Sequence, residues 1–424
     1  MLSKEYYRTY VQILKDELVP AMGCTEPIAI AYAGAVARKT LGALPERVEV
    51  AVSRNIIKNV KSVVVPHTGG LRGIEAAAAA GIVAGDAAKE LEVISHVEQE
   101  DIEAMGTFLK EVPCSVCEAS SDLIFDIQIT LYHGEDNASV RITDFHTNLV
   151  HVSRNGEILL AKEITGKEES ALADKSTLTI EKIFAFAKEV DLADVREVLE
   201  RQVRYNMAIA EEGLCGNYGA NIGKVLLATY GDQDVKVRAK AMAAAGSDAR
   251  MNGCELPVVI NSGSGNQGMT TSLPVIVYAK ELNVSKEMML RALVVSNLIT
   301  IHMKTGIGRL SAYCGAISAG CGAGAGICYL YGGRAYEISH VIVNAVAINS
   351  GVVCDGAKAS CAAKIASAVE AGLLGLQMQK NGKQFYGGDG LVEKGVENTI
   401  RNIGELAKKG MRETDKTIIQ IMTR

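Results

Sequence analysis

Hydrophobic positions change their rhythm twice along the chain. Residues 4–18 repeat at helical spacing through Tyr7, Val11, Leu14 and Leu18, and Pro20 ends that run. A second apolar run, Ile28 to Leu41, predicts another helix, capped by Thr25 or Glu26 with Pro27 in its first turn. From residue 47 the period drops to two. Val48-Glu49-Val50-Ala51-Val52-Ser53 alternates, and the β-branched run Val60 to Val65 predicts a further strand. More strands are expected at 91–96, 123–132, 137–144 and 147–153, with helices at 74–89 and 99–111 between them. From about Ile180 the helical period returns and holds to the end, interrupted by glycine-rich breaks at 213–219 and 387–390.

This order predicts an α+β fold in three parts. N-terminal helices over 1–45 carry Cys24 and pack on the catalytic domain. Residues 46–170 form a smaller α/β layer with a mostly antiparallel sheet, and 171–424 form a large Gly/Ala-rich, all-helical catalytic domain.

Composition refines that picture. Hydrophobic residues make up 48% but aromatics only 5%, with no Trp, so Ala and Gly carry the apolar fraction and predict closely packed helices. A net charge of −5 offers no basic footprint for nucleic acid. Met1-Leu2-Ser3-Lys4-Glu5 lacks the apolar core of an export signal, which points to the cytoplasm. Residues 310–333 hold no charged side chain, but they are mostly Gly, Ala, Ser and Cys. A buried helix is therefore expected, not a membrane span. Ten cysteines without a secretory signal imply reduced thiols, metal ligands or catalysis.

Two cysteine-bearing stretches, Leu310 to Cys328 and Asn349 to Cys361, are expected to be buried helices that bring thiols to one site. Each interior Gly in such a helix costs roughly 1 kcal/mol against Ala, a cost that only close packing offsets. Cys314, Cys321 and Cys328 are spaced by seven, so they lie nearly in line but about 10.5 Å apart along the axis. At most one of them can serve a compact metal site, and likewise at most one of Cys354 and Cys361. Cys314 follows Lys304, Arg309 and Ser311, and Cys354 adjoins Asp355 and Lys358. Cys321, Cys328 and Cys361 lie in Gly/Ala runs and read as packing thiols. Cys24 precedes a helix start, where the dipole favours a thiolate, although a chance turn cysteine would look the same. Cys114-Ser115-Val116-Cys117 has redox or zinc spacing, but no second such pair exists, so two ordinary thiols are expected.

The run from Asn261 to Ser272 contains G-x-G-x-x-G. Pro274 and the missing βαβ unit argue against a dinucleotide site. Its N–H groups, with Ser262, Ser264, Asn266 and Gln267, could instead cradle a small carboxylate; a close helix contact that needs Gly is the plainer alternative.

Several motifs together carry a family resemblance. Gly23-Cys24-Thr25-Glu26-Pro27, Asn55-Ile56-Ile57-Lys58-Asn59, Asn261 to Gly268, Leu310 to Gly315 and Val353 to Lys358 resemble the iron–sulfur L-cysteine desulfidases. These belong with the serine dehydratase alpha-chain family. The likeness extends to Gly388-Asp389-Gly390 and Gly410 to Asp415, and so covers nearly the whole chain. His67 departs from it, standing where glycine is common. The resemblance implies a [4Fe–4S] cluster on Cys24, Cys314 and Cys354 with one open iron, and no pyridoxal phosphate. The implied reaction is α,β-elimination of L-cysteine to pyruvate, ammonia and hydrogen sulfide. L-Serine with the same cluster is the near alternative, and a non-catalytic thiol or metal redox sensor the distant one. Within that scheme Lys304 and Lys358 would neutralise the substrate carboxylate, unless they form structural ion pairs, as Lys358 could with Asp355. His146, flanked by Asp144 and Thr147, is the candidate base because histidine titrates near working pH, although an ordinary turn histidine would look the same. The α/β layer should close over the cluster, with His146 and Asn55 or Lys58 lining the cleft. A small amino-acid substrate and further copies of the chain in a homo-oligomer, a dimer by guess, are the expected partners, without nucleic acid or membrane.

Overall fold

The computed structural model describes residues 3–164, 173–308 and 311–423. It is α+β, and two buried cores organise it. The smaller core lies on one face of a six-stranded sheet. The strand order is Cys114–Glu118, Arg47–Val52, Asp126–His133, Asp136–Thr143, Leu149–Arg154 and Glu157–Ala161. Only the first pair is parallel, so the sheet is mostly antiparallel as expected. The alternation read in the sequence becomes rows across neighbouring strands. Val48 opposes Leu131, which opposes Ala138; Val50, Ile129 and Val140 form the next row, and Val52, Ile127 and Ile142 the third. All nine are fully buried, since a period of two sends alternate side chains to the same face.

Helices Thr25–Leu41 and Gly73–Ala84 cover that face. They approach so closely that a Cβ on Gly81 would lie 1.9 Å from the Ala31 carbonyl oxygen. The first two helices therefore part: Lys4–Glu17 joins the larger helical core through Tyr10, Ile13 and Leu14, whereas Thr25–Leu41 belongs to the sheet's core.

The larger core surrounds helix Gly315–Leu330, which is buried from Ala316 to its end. Helices Gly265–Glu281, Lys286–Ile307, Ala335–Asn349 and Cys361–Lys380 enclose it. Its glycines are contact points: a Cβ on Gly320 would meet the Ala368 carbonyl oxygen at 2.3 Å, and one on Gly372 would meet that of Gly320 at 2.3 Å. Among the described residues no helix is long and apolar enough to cross a membrane.

Three expectations change. Residues 60–65 do not form a strand, and Asn55-Ile56-Ile57-Lys58-Asn59 lies on helix Arg54–Val60, where Ile56 and Val60, four apart, are both buried. Val64 keeps only an isolated bridge to Arg72. Residues 91–96 hold the end of a 3₁₀ helix, Ala87–Glu92, and a turn in place of a strand. The buried helix expected over Asn349 to Cys361 does not form: one helix stops at Asn349, and the next begins at Cys361. The chain between is irregular. Gly356 sits at φ 92°, and a Cβ there would lie 2.2 Å from the Lys58 carbonyl oxygen. Cys114 and Cys117 fall on the edge strand Cys114–Glu118, three residues apart and so on opposite faces, as free thiols.

Candidate active site

Cys354 is thus not on a helix, and a different device brings it to Cys314. An antiparallel bridge joins Tyr313 to Val353. The Cys314 N–H donates to the Val352 carbonyl at 3.2 Å, and the Cys354 N–H donates to that of Ala312 at 2.6 Å. Cys314 then caps helix Gly315–Leu330. Cys24 caps helix Thr25–Leu41 after Gly23, whose φ of 53° suits glycine. All three cysteines line one cavity of about 110 Å³. Cys361, the first residue of its helix, lines it too and packs against the small cluster of Cys24, Val63 and Met251. One of the two reasons for setting Cys361 aside, a helix shared with Cys354, does not hold in this structure.

Four helix starts meet at this cavity. Besides those at Cys24, Cys314 and Cys361, helix Gly265–Glu281 begins there at Ser264. Each start carries roughly half a positive charge on N–H groups without intrahelical partners. Arg250, Lys304 and Lys364 add full charges to the same walls. Burial works against the Lys364 charge, but Asp355 and the thiols of Cys314 and Cys354 outweigh it and hold its pKa above the ordinary lysine value. Asp355, between Lys358 and Lys364, is held down near 2 against the effect of burial.

The thiols themselves are shifted upward. Burial, reinforced by the Glu26 carboxylate, pushes Cys24 well up, while Arg250 pulls the other way. Burial and the neighbouring Cys354 raise Cys314. Glu26 collects donors at 3.1–3.2 Å: the Cys24 thiol, the Thr25 hydroxyl and the Asn59 amide.

The sequence-derived residues divide. His146, Lys304, Ser264, Asn266 and Gln267 line the cavity with the cysteines. His146 comes from the turn before strand Leu149–Arg154 and stands edge-on to Phe125, ring centres 4.8 Å apart, so the sheet unit does close one side. Four candidates lie outside the lining. Lys58 is buried in an ion pair with Asp415. Lys358 pairs with Asp355 at 2.6 Å. The Ser262 hydroxyl donates to Asn261 at 2.9 Å. Asn55 sits one helical turn from Asn59, which takes the place in the lining expected for Asn55 or Lys58. Glu26, Asn59, Arg250, Cys361, Lys364 and Tyr313 are among the lining residues not proposed as site residues from sequence. Glu26 and Asn59 stood inside the quoted motifs, and Arg250 is the lone cation in the alanine-rich end of helix Val235–Met251. His67, outside the lining, has φ 56°, the left-handed conformation that glycine adopts most easily.

Four thiols, of Cys24, Cys314, Cys354 and Cys361, are the sulfur donors in the lining. Among the described residues no three His, Cys, Asp or Glu side chains are gathered as one ion requires, with donors about 2.0–2.3 Å from a common centre. Thiols spread around a cavity suit a multi-iron cluster, which takes each thiolate on a separate iron. Three buried polar atoms in the lining, Asn266 Oδ1, Gln267 Oε1 and Tyr313 Oη, have no hydrogen-bond partner among the described residues. In a cavity wall such atoms are available to a bound ligand. The Gln267 amide also lies flat on Gly315, where a Cβ would come within 2.8 Å of it.

The chain is 63% identical over 417 residues to a UPF0597 protein of Desulfitobacterium hafniense, covering 98% of this chain and 97% of the relative. Proteins of the same designation from Lachnoclostridium phytofermentans and Finegoldia magna are 53% and 48% identical, each match covering 98% of this chain and 99% of the relative. The family model described as serine dehydratase alpha chain matches residues 88–420, and the chain belongs to that family.

Proposed function

We propose that the protein is an iron–sulfur lyase that eliminates the β-substituent of a small amino acid, L-cysteine foremost. One observation carries this reading: Cys24, Cys314 and Cys354, far apart in sequence, line a single cavity at which four helix starts converge. A [4Fe–4S] cluster on these three thiolates would supply one open iron as a Lewis acid toward the leaving group. The chain's own groups divide the remaining work. The positive helix ends and Lys364 offset the negative charge of thiolates and substrate. His146 takes the α proton, and the turn that carries it holds the imidazole against Phe125 at the sheet side of the cavity. Loss of sulfide leaves aminoacrylate, which hydrolyses to pyruvate and ammonia. The family's description favours L-serine as a second substrate, with hydroxide the poorer leaving group.

The test is anaerobic. The protein is loaded with iron and sulfide and given L-cysteine or L-serine, and pyruvate is measured. Release from L-cysteine supports the reading, and release from L-serine alone reassigns the substrate. No release from either, with the iron bound, refutes it. For His146→Ala with full iron, exchange of the α proton should be lost; near-normal turnover removes His146 from the mechanism.

A further inference from the structure

Arg250 is a buried cation whose role the elimination scheme has not used. It is 2% exposed, near the end of helix Val235–Met251, and it lines the thiol cavity. Its Nε donates to the Gly23 carbonyl at 2.9 Å. Among the described residues its side chain has no other hydrogen bond and no carboxylate at ion-pair distance. The nearby buried carboxylate of its own helix, Asp248, instead accepts from the Gly223 N–H at 3.0 Å. A guanidinium is always charged and offers a planar fork of donors, so burying it unmatched is costly unless an anion completes it.

The surroundings say which anion. A Cβ on Gly265 would lie 2.4 Å from Arg250 Nε and 2.9 Å from its Cζ, so the guanidinium lies over the first turn of helix Gly265–Glu281. The cap residue of that helix, Ser264, makes no side-chain cap bond. Side-chain donors and helix N–H groups therefore face the same space. The buried amide oxygens of Asn266 and Gln267, acceptors without partners among the described residues, lie one and two positions further on. Donors beside acceptors match a zwitterion.

We propose that Arg250 and the start of helix Gly265–Glu281 bind the α-carboxylate of an α-amino acid, while Asn266 and Gln267 accept from its ammonium group. This rests on the amino-acid lyase reading and fixes which end of the substrate faces which wall. Arg250 also lies near enough to Cys24 to favour its thiolate. A residue acting only on Cys24 would alter iron retention without distinguishing a carboxylate from an amide.

Calorimetry with two unreactive ligands separates the two roles. L-Alanine carries both charges, and L-alaninamide lacks the carboxylate. The iron-loaded wild-type protein should prefer L-alanine by about tenfold or more, and Arg250→Gln should erase that preference. Arg250→Lys, which keeps the charge but not the fork, should restore part of it. An undiminished preference in a folded Arg250→Gln protein overturns the proposal, as does no preference in the wild type. Should Arg250→Gln fail to fold, Arg250→Lys decides by itself: a preference as large as that of the wild type overturns the proposal. Wild-type protein that releases pyruvate from L-cysteine yet shows no preference sinks this inference alone. Protein that neither binds L-alanine nor turns over L-cysteine sinks the lyase reading with it.

Discussion

Helix Gly315–Leu330 carries the same side chain into two different environments. At its start, Cys314 faces a cavity with three other thiols, two lysines and an arginine. One and two heptads further on, Cys321 and Cys328 are walled in by apolar and small residues, and burial raises both thiols as it raises Cys314. Position relative to the helix end makes the difference. The first turn has free N–H groups and an irregular approach, so it can present a side chain to a shared site. The interior has every backbone group paired and its surface pressed against neighbours, so a thiol there is filler.

The largest test of that contrast is metal retention. Cys314→Ser or Cys354→Ser should lose most of the iron after anaerobic reconstitution, while Cys321→Ala and Cys328→Ala keep it, read by iron and sulfide analysis. Equal retention in all four would erase the distinction. Next comes packing. Gly320→Ala places a methyl group 2.3 Å from a backbone carbonyl and should cost about 2–3 kcal/mol in denaturant unfolding. Gly351→Ala, with nothing within 4 Å in the loop before Cys354, should be close to neutral. Cys321→Ala should cost only about 1 kcal/mol, the price of a small buried cavity.

Acidity gives a finer probe. Burial raises the pKa of Cys24 and Cys314, so both bind iron only by giving up protons they hold near neutral pH. Iron uptake should therefore weaken as the pH is lowered and strengthen as it is raised, with protons released on loading. Uptake independent of pH would contradict thiol ligation. The smallest effect is an absence of reaction. In native protein near pH 8, alkylation followed by mass spectrometry should modify exposed Cys117 and Cys215 and leave Cys321 and Cys328 untouched.

The same contrast explains what the sequence disclosed. The alternation of Val48, Val50 and Val52 and the glycines of residues 315–330 each have a local cause, and both regions take the expected form. Short apolar runs were less legible. Val60 to Val65 has strand composition, yet Ile56 and Val60 close a helix one turn earlier, and tertiary packing decides between them. The segment before Cys361 turns on Gly356, where the Lys58 carbonyl, almost 300 residues away in the chain, leaves no room for a Cβ. No local pattern reports such a contact. Arg250 was hidden for a related reason: only the fold reveals that its helix ends at the cavity and that no carboxylate among the described residues meets it.

The central claim is that Cys24 shares one cluster with Cys314 and Cys354, although it belongs to a different helix and a different core. Cys24→Ser tests it most directly, compared with wild type after identical anaerobic reconstitution and read by iron, sulfide and electron paramagnetic resonance of the reduced sample. Wild type should bind about four iron and four sulfide per chain and show a cluster signal. Cys24→Ser should lose both while keeping its fold by circular dichroism. A folded Cys24→Ser protein with its full complement of iron and an unchanged spectrum would contradict the account.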